Sequence, residues 1–300
     1  MLQNEVGRKW RTTPWTDVLQ GRGSAGKRWN KYFMRSGLIR KDILPLYGGE
    51  FMPRTTVVSS HEELVDAIAE DDAKLWVLKL CDSSNAYGIH FFDDAAQVEG
   101  CFLDKQKRVV QQYVDPWLTR DGRKFHLRVL VLAVGHLDVH VFHNIRALIA
   151  TKPYRRDAFD DPLIHVTNMS TNRAAPGYNE GRQNVRLEDI DATLDTPAIR
   201  DHIHSIVGRV FANLCRQPNR RHFFSLPNCY ELFGFDFVID ASGRVLLLEV
   251  NPDPSLGMYH GDDIVPPDVL QTEVPTTKFT RVFSRETAEA FDFLRQQRTA

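Results

Sequence analysis

The sequence has few cysteines and no long apolar run. Four cysteines are scattered through 300 residues without a CxxC pair, so we expect reduced thiols rather than a disulfide framework. No window approaches the roughly 18 apolar residues that a membrane-spanning helix needs, and the first residues lack the apolar core of a secretory signal. These absences lead us to expect a cytoplasmic protein that does not enter a membrane.

Two common nucleotide-binding motifs are also missing. Neither GxxxxGK[ST] nor GxGxxG follows a predicted strand, which argues against a P-loop or a Rossmann site. The formal net charge is −1, so electrostatic recognition must come from local patches. One patch, from Arg22 to Lys41, contains basic residues and no acid. It is either a solvated helical face or a surface for an acidic partner, and nucleic acid is disfavoured because no known stacking module accompanies it.

Apolar patterns predict strands mixed with separate helices. Ser60 and Glu63 have the spacing of a capping box ahead of a helix, and apolar residues recur at helical spacing from 196 to 216. Two long hairpins are predicted, over 124–149 and 229–251. Short strands are predicted at 54–58, 74–80, 89–92, 108–114 and 163–170, and a flexible loop at 171–190. This mixture indicates an α+β fold.

The end of the second hairpin carries polar side chains on one face. Because side chains alternate along a strand, Glu249 and Asn251 point the same way, with Leu247 behind them. The tight turn brings Asp236 of the preceding strand beside this pair. Two carboxylates and an amide suit Mg²⁺, which uses few protein ligands and completes its shell with phosphate and water. The alternative is that these residues are merely the polar edge of a core hairpin.

A magnesium site of this kind implies a phosphate ligand, and hence cations elsewhere in the chain. Lys79 lies within a buried-strand pattern, where its amine reaches either solvent or a phosphate. Lys124, His126 and Arg128 share one face of a predicted strand. Three such groups on one side are costly unless an anion lies against them.

These segments resemble the tubulin–tyrosine ligase-like family of the ATP-grasp superfamily. The resemblance rests on "KFHLRVLVL", "HVTNMS" and "CYELFGFDFVIDASGRVLLLEVNPDPSL", together with "VLKL…YGI" and "VVQQYV", in family order from about Leu38 to Leu256. It implies an ATP-grasp fold with the nucleotide between two antiparallel or mixed sheets. The implied lobes are a basic N-terminal lobe at 1–52, a central lobe at 53–118 and a C-terminal lobe at 119–300.

The resemblance also implies an activity and its residues. The activity is an ATP-dependent ligase that forms an acyl-phosphate and joins a free amino acid to a protein carboxylate, on tubulin or on another protein with an acidic tail. Metal coordination falls to Asp236, Glu249 and Asn251. ATP contacts fall to Lys79, Gln111, Gln112, Tyr113, Val114, Lys124, His126, Thr167 and Asn168. Catalytic roles toward the reacting groups fall to Lys124, Arg128 and Arg146.

Three departures from the family pattern leave a second hypothesis open. His126 stands where the family usually has aspartate, which affects a ribose contact, and the loop Asp82–Gly88 is poor in glycine. Leu148 occupies the place of an arginine that helps to hold the amino-acid substrate, and Arg146 on the same strand face is its candidate substitute. The alternative function is therefore an ATP-binding protein that does not ligate and that acts in interaction or regulation.

Overall fold

A computed structural model describes residues 28–69, 73–83, 86–217, 221–259 and 267–288, and two β-sheets organise this part of the chain. The strands of the smaller sheet are Thr55–Val58 (β1), Trp76–Leu80 (β2), His90–Phe92 (β3) and Arg108–Gln112 (β4). They lie in the order β1-β4-β2-β3 and pair antiparallel. These strands agree with the predicted apolar runs in this region.

The larger sheet contains seven of the described strands. They are Phe125–Val134 (β5), Asp138–Phe142 (β6), Arg146–Ile149 (β7), Asn184–Arg186 (β8), Tyr230–Ile239 (β9), Val245–Pro252 (β10) and Phe279–Ser284 (β11). The order is β10-β9-β5-β6-β11, while β7 pairs with both β5 and β8. The first half of β5 pairs with β7 and the second half with β6. The predicted continuous arm 137–149 is therefore wrong, because it breaks into two strands at 143–145.

Most of the described helices are short. They are Ser36–Ile39 (α1), Pro45–Gly48 (α2), His61–Ala69 (α3), Pro162–His165 (α4), Met169–Asn172 (α5), Glu180–Gln183 (α6), Thr196–Cys215 (α7) and Pro267–Leu270 (α8). Short 3₁₀ segments lie at Gly49–Phe51, Ala95–Asp104 and Leu187–Asp189. No helix in the described part of the chain combines the length and apolar character needed to cross a membrane.

The two predicted helices form for the expected local reasons. At α3, the Ser60 hydroxyl accepts from the Glu63 backbone N–H, and the Glu63 carboxylate accepts from the N–H of Ser59. At α7, the Asp195 side chain accepts from the Ala198 N–H, which satisfies one free donor of the first turn. The apolar side of α7 is buried in the main core, which also contains inner residues of β5 and β9.

Residues 163–190 differ from both predictions made for them. The predicted strand 163–170 is wrong, because Asp161 caps α4 by accepting from the Leu163 N–H and α5 begins at Met169. The predicted flexible loop contains α6, β8 and a 3₁₀ turn. Strand β8 forms because β7 supplies its backbone partners. This is a long-range pairing that a polar local sequence does not reveal.

The N-terminal segment packs into the core of the larger sheet. Tyr32, Leu38, Leu44 and Tyr47 are buried in the same apolar cluster as the inner side chains of β5 and β9. Residues 1–27 of the predicted basic lobe lie outside the described residues. The division into lobes at 52 and 118 stays a prediction.

Four of the five described cations of the basic segment pair with acids, and Nη1 of the fifth, Arg28, is buried without a hydrogen-bond partner. Arg35 forms a 2.7 Å ion pair with Glu231, which is only 1% exposed, and burial raises the pKa of Glu231 to about 7. Arg40 pairs with Asp42, which lies just beyond the segment. Lys31 reaches Asp253 at 3.3 Å. For Lys31 and Arg35 both predicted alternatives, a solvated face and a surface for an acidic partner, are wrong, whereas the Arg40 side chain is 38% exposed. Arg22 and Lys27 lie outside the described residues.

Candidate functional site

A cleft of about 850 Å³, including its open mouth, separates the two sheets, and its size is in the range of small-molecule sites. One wall is the small sheet and the other is the large sheet, and the connecting segments 112–114 and 165–168 close one side. Most of the predicted site residues line the cleft: Lys79, Gln111, Gln112, Tyr113, Val114, Lys124, His126, Thr167, Asn168, Asp236 and Glu249.

A β-bulge in β10 brings two side chains to the cleft. The pairing of β10 with β9 shifts between Leu247 and Glu249, so Leu248 is the extra residue of the bulge. Leu248 and Glu249 both line the cleft, while Leu247 is fully buried in the core on the opposite face. The prediction that Leu247 lies behind Glu249 is therefore wrong. The bulge also places Glu249 directly opposite Asp236.

The three predicted metal ligands lie together at this point. The side-chain amide of Asn251 donates to Asp236 Oδ2 at 2.9 Å and to Glu249 Oε1 at 3.2 Å. Asp236, which is 3% exposed, also receives two hydrogen bonds from Arg128, one from Nε and one of 2.9 Å from Nη2. Arg128 and Asp236 are direct cross-strand neighbours of β5 and β9. Arg128 therefore neutralises the deepest carboxylate of the cluster.

The cluster fits a hard cation that takes few protein ligands. Among the described residues, no group of three or more His, Cys, Asp or Glu side chains is arranged to hold a metal ion by itself. Two carboxylates and an amide nevertheless match Mg²⁺, because this ion keeps waters and takes substrate phosphate oxygens as ligands. For these residues to bind a metal ion, Asn251 must turn its amide oxygen toward the ion, and Arg128 must release Asp236.

Two lysines line the cleft near this cluster, Lys79 buried and Lys124 partly buried. Lys79 Nζ donates to Gln111 Oε1 at 2.6 Å, and Lys124 Nζ donates to the Tyr113 hydroxyl at 3.2 Å. Burial lowers the pKa of Lys79 to about 8. The charge of Glu249 acts to raise this pKa, and the charge of Lys41 acts to lower it. Burial and repulsion from Lys79 lower the pKa of Lys124 to about 7. Since a buried cation is stable only when paired, the cleft favours an anionic ligand.

A third lysine reaches the cleft from the N-terminal segment, and the sequence did not single it out. Lys41 Nζ lies 3.8 Å from Glu249 Oε2 and donates to the carbonyl oxygen of Ser83. Burial alone raises the pKa of Glu249, but Lys41 and Lys79 hold that pKa below its ordinary value. The one signal in the sequence was the position of Lys41 at the end of the basic segment.

The other end of the cleft is aromatic. Tyr113, Phe91 and His165 contact one another, with ring centroids 4.9–5.8 Å apart, and His165 Nδ1 lies 3.0 Å from the Tyr113 hydroxyl. Val77 and Ile89 add apolar surface. Flat apolar walls of this kind suit a planar heterocycle. Of these residues only Tyr113 was predicted, because the others have no distinguishing local motif.

His126 is held in one orientation with one nitrogen unused. Its Nδ1 hydrogen-bonds with the Thr167 hydroxyl. Its Nε2 has no hydrogen-bond partner and lies 3.7 Å from Asp236 Oδ1. Burial lowers the pKa of His126 to about 4, so the ring is neutral at pH 7.

Three predicted site residues, Arg128, Arg146 and Asn251, are not among the residues that line the cleft, and Arg146 lies beside Arg128 in the register. Its guanidinium donates to the side-chain oxygen of Asn184 at 2.8 Å and to the backbone oxygen of Asn184 at 2.7 Å. Leu148 is buried in an apolar cluster with Met258 and Tyr259. A role of Arg146 as substitute for an arginine at position 148 stays a prediction. The loop Asp82–Gly88 is described except for residues 84 and 85.

Proton uptake should accompany binding of an anion to the cleft. An anion that pairs with Lys124 raises its pKa from about 7 toward the ordinary 10.5. We therefore expect the protein to take up protons when it binds ATP at pH 8, and to take up fewer at pH 6, where this amine is already charged. Calorimetry in buffers of different ionisation enthalpy measures the uptake. Lys124→Met should reduce it, and an unchanged uptake in this variant would contradict the assignment.

Gly234 gives the Arg128 side chain its path to Asp236. A β-carbon at position 234 would lie 3.2 Å from Arg128 Cδ and 3.0 Å from Pro254 Cβ. We expect Gly234→Ala to destabilise the protein by about 1–3 kcal/mol through overpacking. Gly100→Ala is the matched control, because a β-carbon there meets nothing within 4 Å. Chemical denaturation measures both, and equal stability of the two variants would contradict the steric argument.

Comparison with known proteins bears on the same region. The model of the tubulin-tyrosine ligase family matches residues 25–266. A probable tubulin–tyrosine ligase of Schizosaccharomyces pombe is 35% identical over 146 residues, which are 49% of this chain and 36% of that protein. The probable tubulin–tyrosine ligase PBY1 of Saccharomyces cerevisiae is 34% identical over 184 residues, 54% of this chain and 24% of PBY1. The probable tubulin polyglutamylase TTLL2 of Homo sapiens is 25% identical over 294 residues, 85% of this chain and 47% of TTLL2.

A solved structure has the same fold. The C-terminal domain of Pby1 from K. lactis, described as an ATP-grasp enzyme interacting with the mRNA decapping enzyme Dcp2, matches with a TM-score of 0.63 at 22% identity. The match covers 92% of this chain and 86% of that one. This chain spans about a quarter to a half of the length of the three curated relatives above. It has the α+β ATP-grasp fold that the sequence predicted, and it belongs to the tubulin-tyrosine ligase family.

Proposed function

We propose that this protein is an ATP-dependent ligase that joins a free amino acid to a carboxylate of an acidic protein tail, such as that of tubulin. The observation that carries the proposal is the cleft itself. It holds buried Lys79 and partly buried Lys124, neither with an ion-pair partner within 4.0 Å among the described residues, together with a cluster of two carboxylates and an amide. Positive charge and oxygen ligands in one cleft suit a nucleotide with its divalent cation.

The chain's own residues account for nucleotide binding. Lys79 and Lys124 neutralise phosphate oxygens, and the aromatic end with Tyr113 and Phe91 holds the base. Asp236, Glu249 and Asn251 would hold Mg²⁺, which supplies charge neutralisation to the phosphates when bound. Confinement between two sheets limits access of water, which protects a reactive acyl-phosphate from hydrolysis.

Arg128 is the residue that we assign to the acceptor. Its bidentate pairing with Asp236 shows the geometry with which a guanidinium holds a carboxylate. Once it releases Asp236, Arg128 can hold the acceptor carboxylate in the same way. An oxygen of that carboxylate attacks the γ-phosphorus of ATP, and the bond to ADP breaks. The amine nitrogen of the amino acid then attacks the acyl carbon, and phosphate leaves with the bonding electron pair.

A second function is supported by the surroundings of Arg146. This arginine is engaged by Asn184 and does not line the cleft, and Leu148, at the place of the family's arginine, is packed among apolar side chains. A protein that binds ATP without ligation, and that acts through interaction with other proteins, fits this arrangement. We propose a cytoplasmic location for either function, and an association with the cytoskeleton for the first.

One incubation separates the two functions. The protein is mixed with ATP, Mg²⁺, labelled tyrosine or glutamate, and tubulin, and incorporation of label is measured beside direct ATP binding. Incorporation that requires ATP supports the ligase. ATP binding without incorporation for either amino acid supports the second function, and absence of ATP binding contradicts both. Lys79→Met should abolish incorporation, whereas Lys105→Met, at an exposed position outside the cleft, should not.

A further inference from the structure

The unused nitrogen of His126 lies at the carboxylate cluster. His126 is 4% exposed, and its Nε2 has no hydrogen-bond partner. A buried polar atom without a partner costs about 1–3 kcal/mol, so its retention calls for a ligand. The atom that faces it is Asp236 Oδ1, at 3.7 Å. This distance is too long for a hydrogen bond.

The same distance is right for two ligands of one metal ion. Metal–nitrogen and metal–oxygen bonds are about 2.1 Å, so two ligand atoms of one ion lie at most about 4.2 Å apart. The 3.7 Å between His126 Nε2 and Asp236 Oδ1 falls within that limit. A cation between these atoms would give Nε2 a partner and would replace Arg128 Nε, which donates to Asp236 Oδ1 in this structure.

The hydrogen bond of His126 Nδ1 resembles the one that metal-binding histidines usually make. Such residues usually donate their second ring N–H to a neighbouring oxygen, which fixes the ring and leaves the opposite nitrogen free to bind. In this protein the Thr167 hydroxyl is within hydrogen-bond reach of Nδ1. With Nδ1 as the donor, the lone pair of Nε2 points toward Asp236, and a cation bound between the two atoms would relieve their repulsion.

We propose that His126 Nε2 is a ligand of the cation that binds at Asp236, and that this site therefore prefers first-row transition ions to Mg²⁺. This inference rests on the proposed nucleotide site and specifies its metal. Imidazole suits transition ions, whereas carboxylate and water suit Mg²⁺. Asp236 becomes available when Arg128 turns from it to another anion, and phosphate oxygens and Glu249 complete the shell.

Electron paramagnetic resonance with Mn²⁺ as the probe tests this directly. Mn²⁺ is added to the whole protein alone and with ATP, and nitrogen hyperfine coupling to the ion is measured by pulsed methods. We expect coupling from a directly bound imidazole in the wild type, and its loss in His126→Asp. His204→Gln is the control, because His204 also has an unpartnered Nε2 but lies on α7 outside the cleft, and it should keep the coupling.

Metal affinities give a second readout. We expect His126→Asp to lower the ratio of Mn²⁺ to Mg²⁺ affinity about tenfold. Substitutions of residues around a metal site commonly change metal affinity by about this much. Binding of Mn²⁺ with ATP but without nitrogen coupling in the wild type would overturn the inference and leave the nucleotide site standing. Failure of the wild type to bind ATP with either ion would overturn the proposed function as well. Circular dichroism confirms that each variant is folded.

Discussion

Asp236→Ala is expected to destabilise the protein by about 3–5 kcal/mol, because removal of one partner leaves a buried charge unpaired. The charge is that of Arg128, which is 9% exposed and bonded to Asp236 through two nitrogens. The substitution also removes an acceptor of the Asn251 amide. The loss should appear as a lower denaturant midpoint in urea unfolding.

A double variant distinguishes charge from packing. Asp236→Leu combined with Arg128→Met replaces the pair by apolar groups, which is often close to neutral for stability. We expect it to be clearly more stable than Asp236→Ala alone, although both lack the predicted metal ligand. Asp66→Ala, on the exposed side of α3, is the surface control and should change stability by less than about 0.5 kcal/mol. A double variant as unstable as the single one would contradict the argument from unpaired charge.

Glu249→Gln should weaken binding of magnesium–ATP and lower the rate of ligation by about 10²–10³-fold, the usual effect of removing one preorganised electrostatic contact. The glutamine keeps the size of the side chain and an oxygen that can accept from Asn251. It removes the negative charge that Glu249 offers to a cation. The Glu249 side chain is 21% exposed, so a ligand in the cleft can reach it. Calorimetry with ATP and Mg²⁺ measures the binding.

The sign of this effect should depend on the metal. Without Mg²⁺, the carboxylate of Glu249 repels phosphate, so Glu249→Gln should bind free ATP at least as well as the wild type. Glu99→Gln, an exposed glutamate outside the cleft, should behave as the wild type under both conditions. Equal affinity of Glu249→Gln and wild type for magnesium–ATP would contradict the role of Glu249. Undetectable ATP binding by the wild type at millimolar nucleotide would contradict the whole site.

Local pattern was sufficient for the elements that place the site. Alternation of apolar residues and the turn near Gly243 predict the hairpin of β9 and β10, and the structure has both strands. The capping residues Ser60 and Asp195 begin helices that contain the expected apolar stripes. Period and capping are properties of neighbouring residues, so these elements, the α+β class and the grouping of Asp236 with Glu249 and Asn251 follow from the sequence alone.

Long-range packing decided the remaining features of the cleft. Lys41 reaches Glu249 across more than two hundred residues, Arg128 takes up the charge of Asp236, and the bulge at Leu248 changes which leucine faces the cleft. The basic segment, which looked like a free surface, pairs most of its described cations with acids such as Glu231. Spacing along a chain fixes which face a side chain takes, but distances between separate sheets and segments arise only when their shared core is packed. For that reason the sequence determined the types of ligand in this site, and only the tertiary structure determined how their charges are paired.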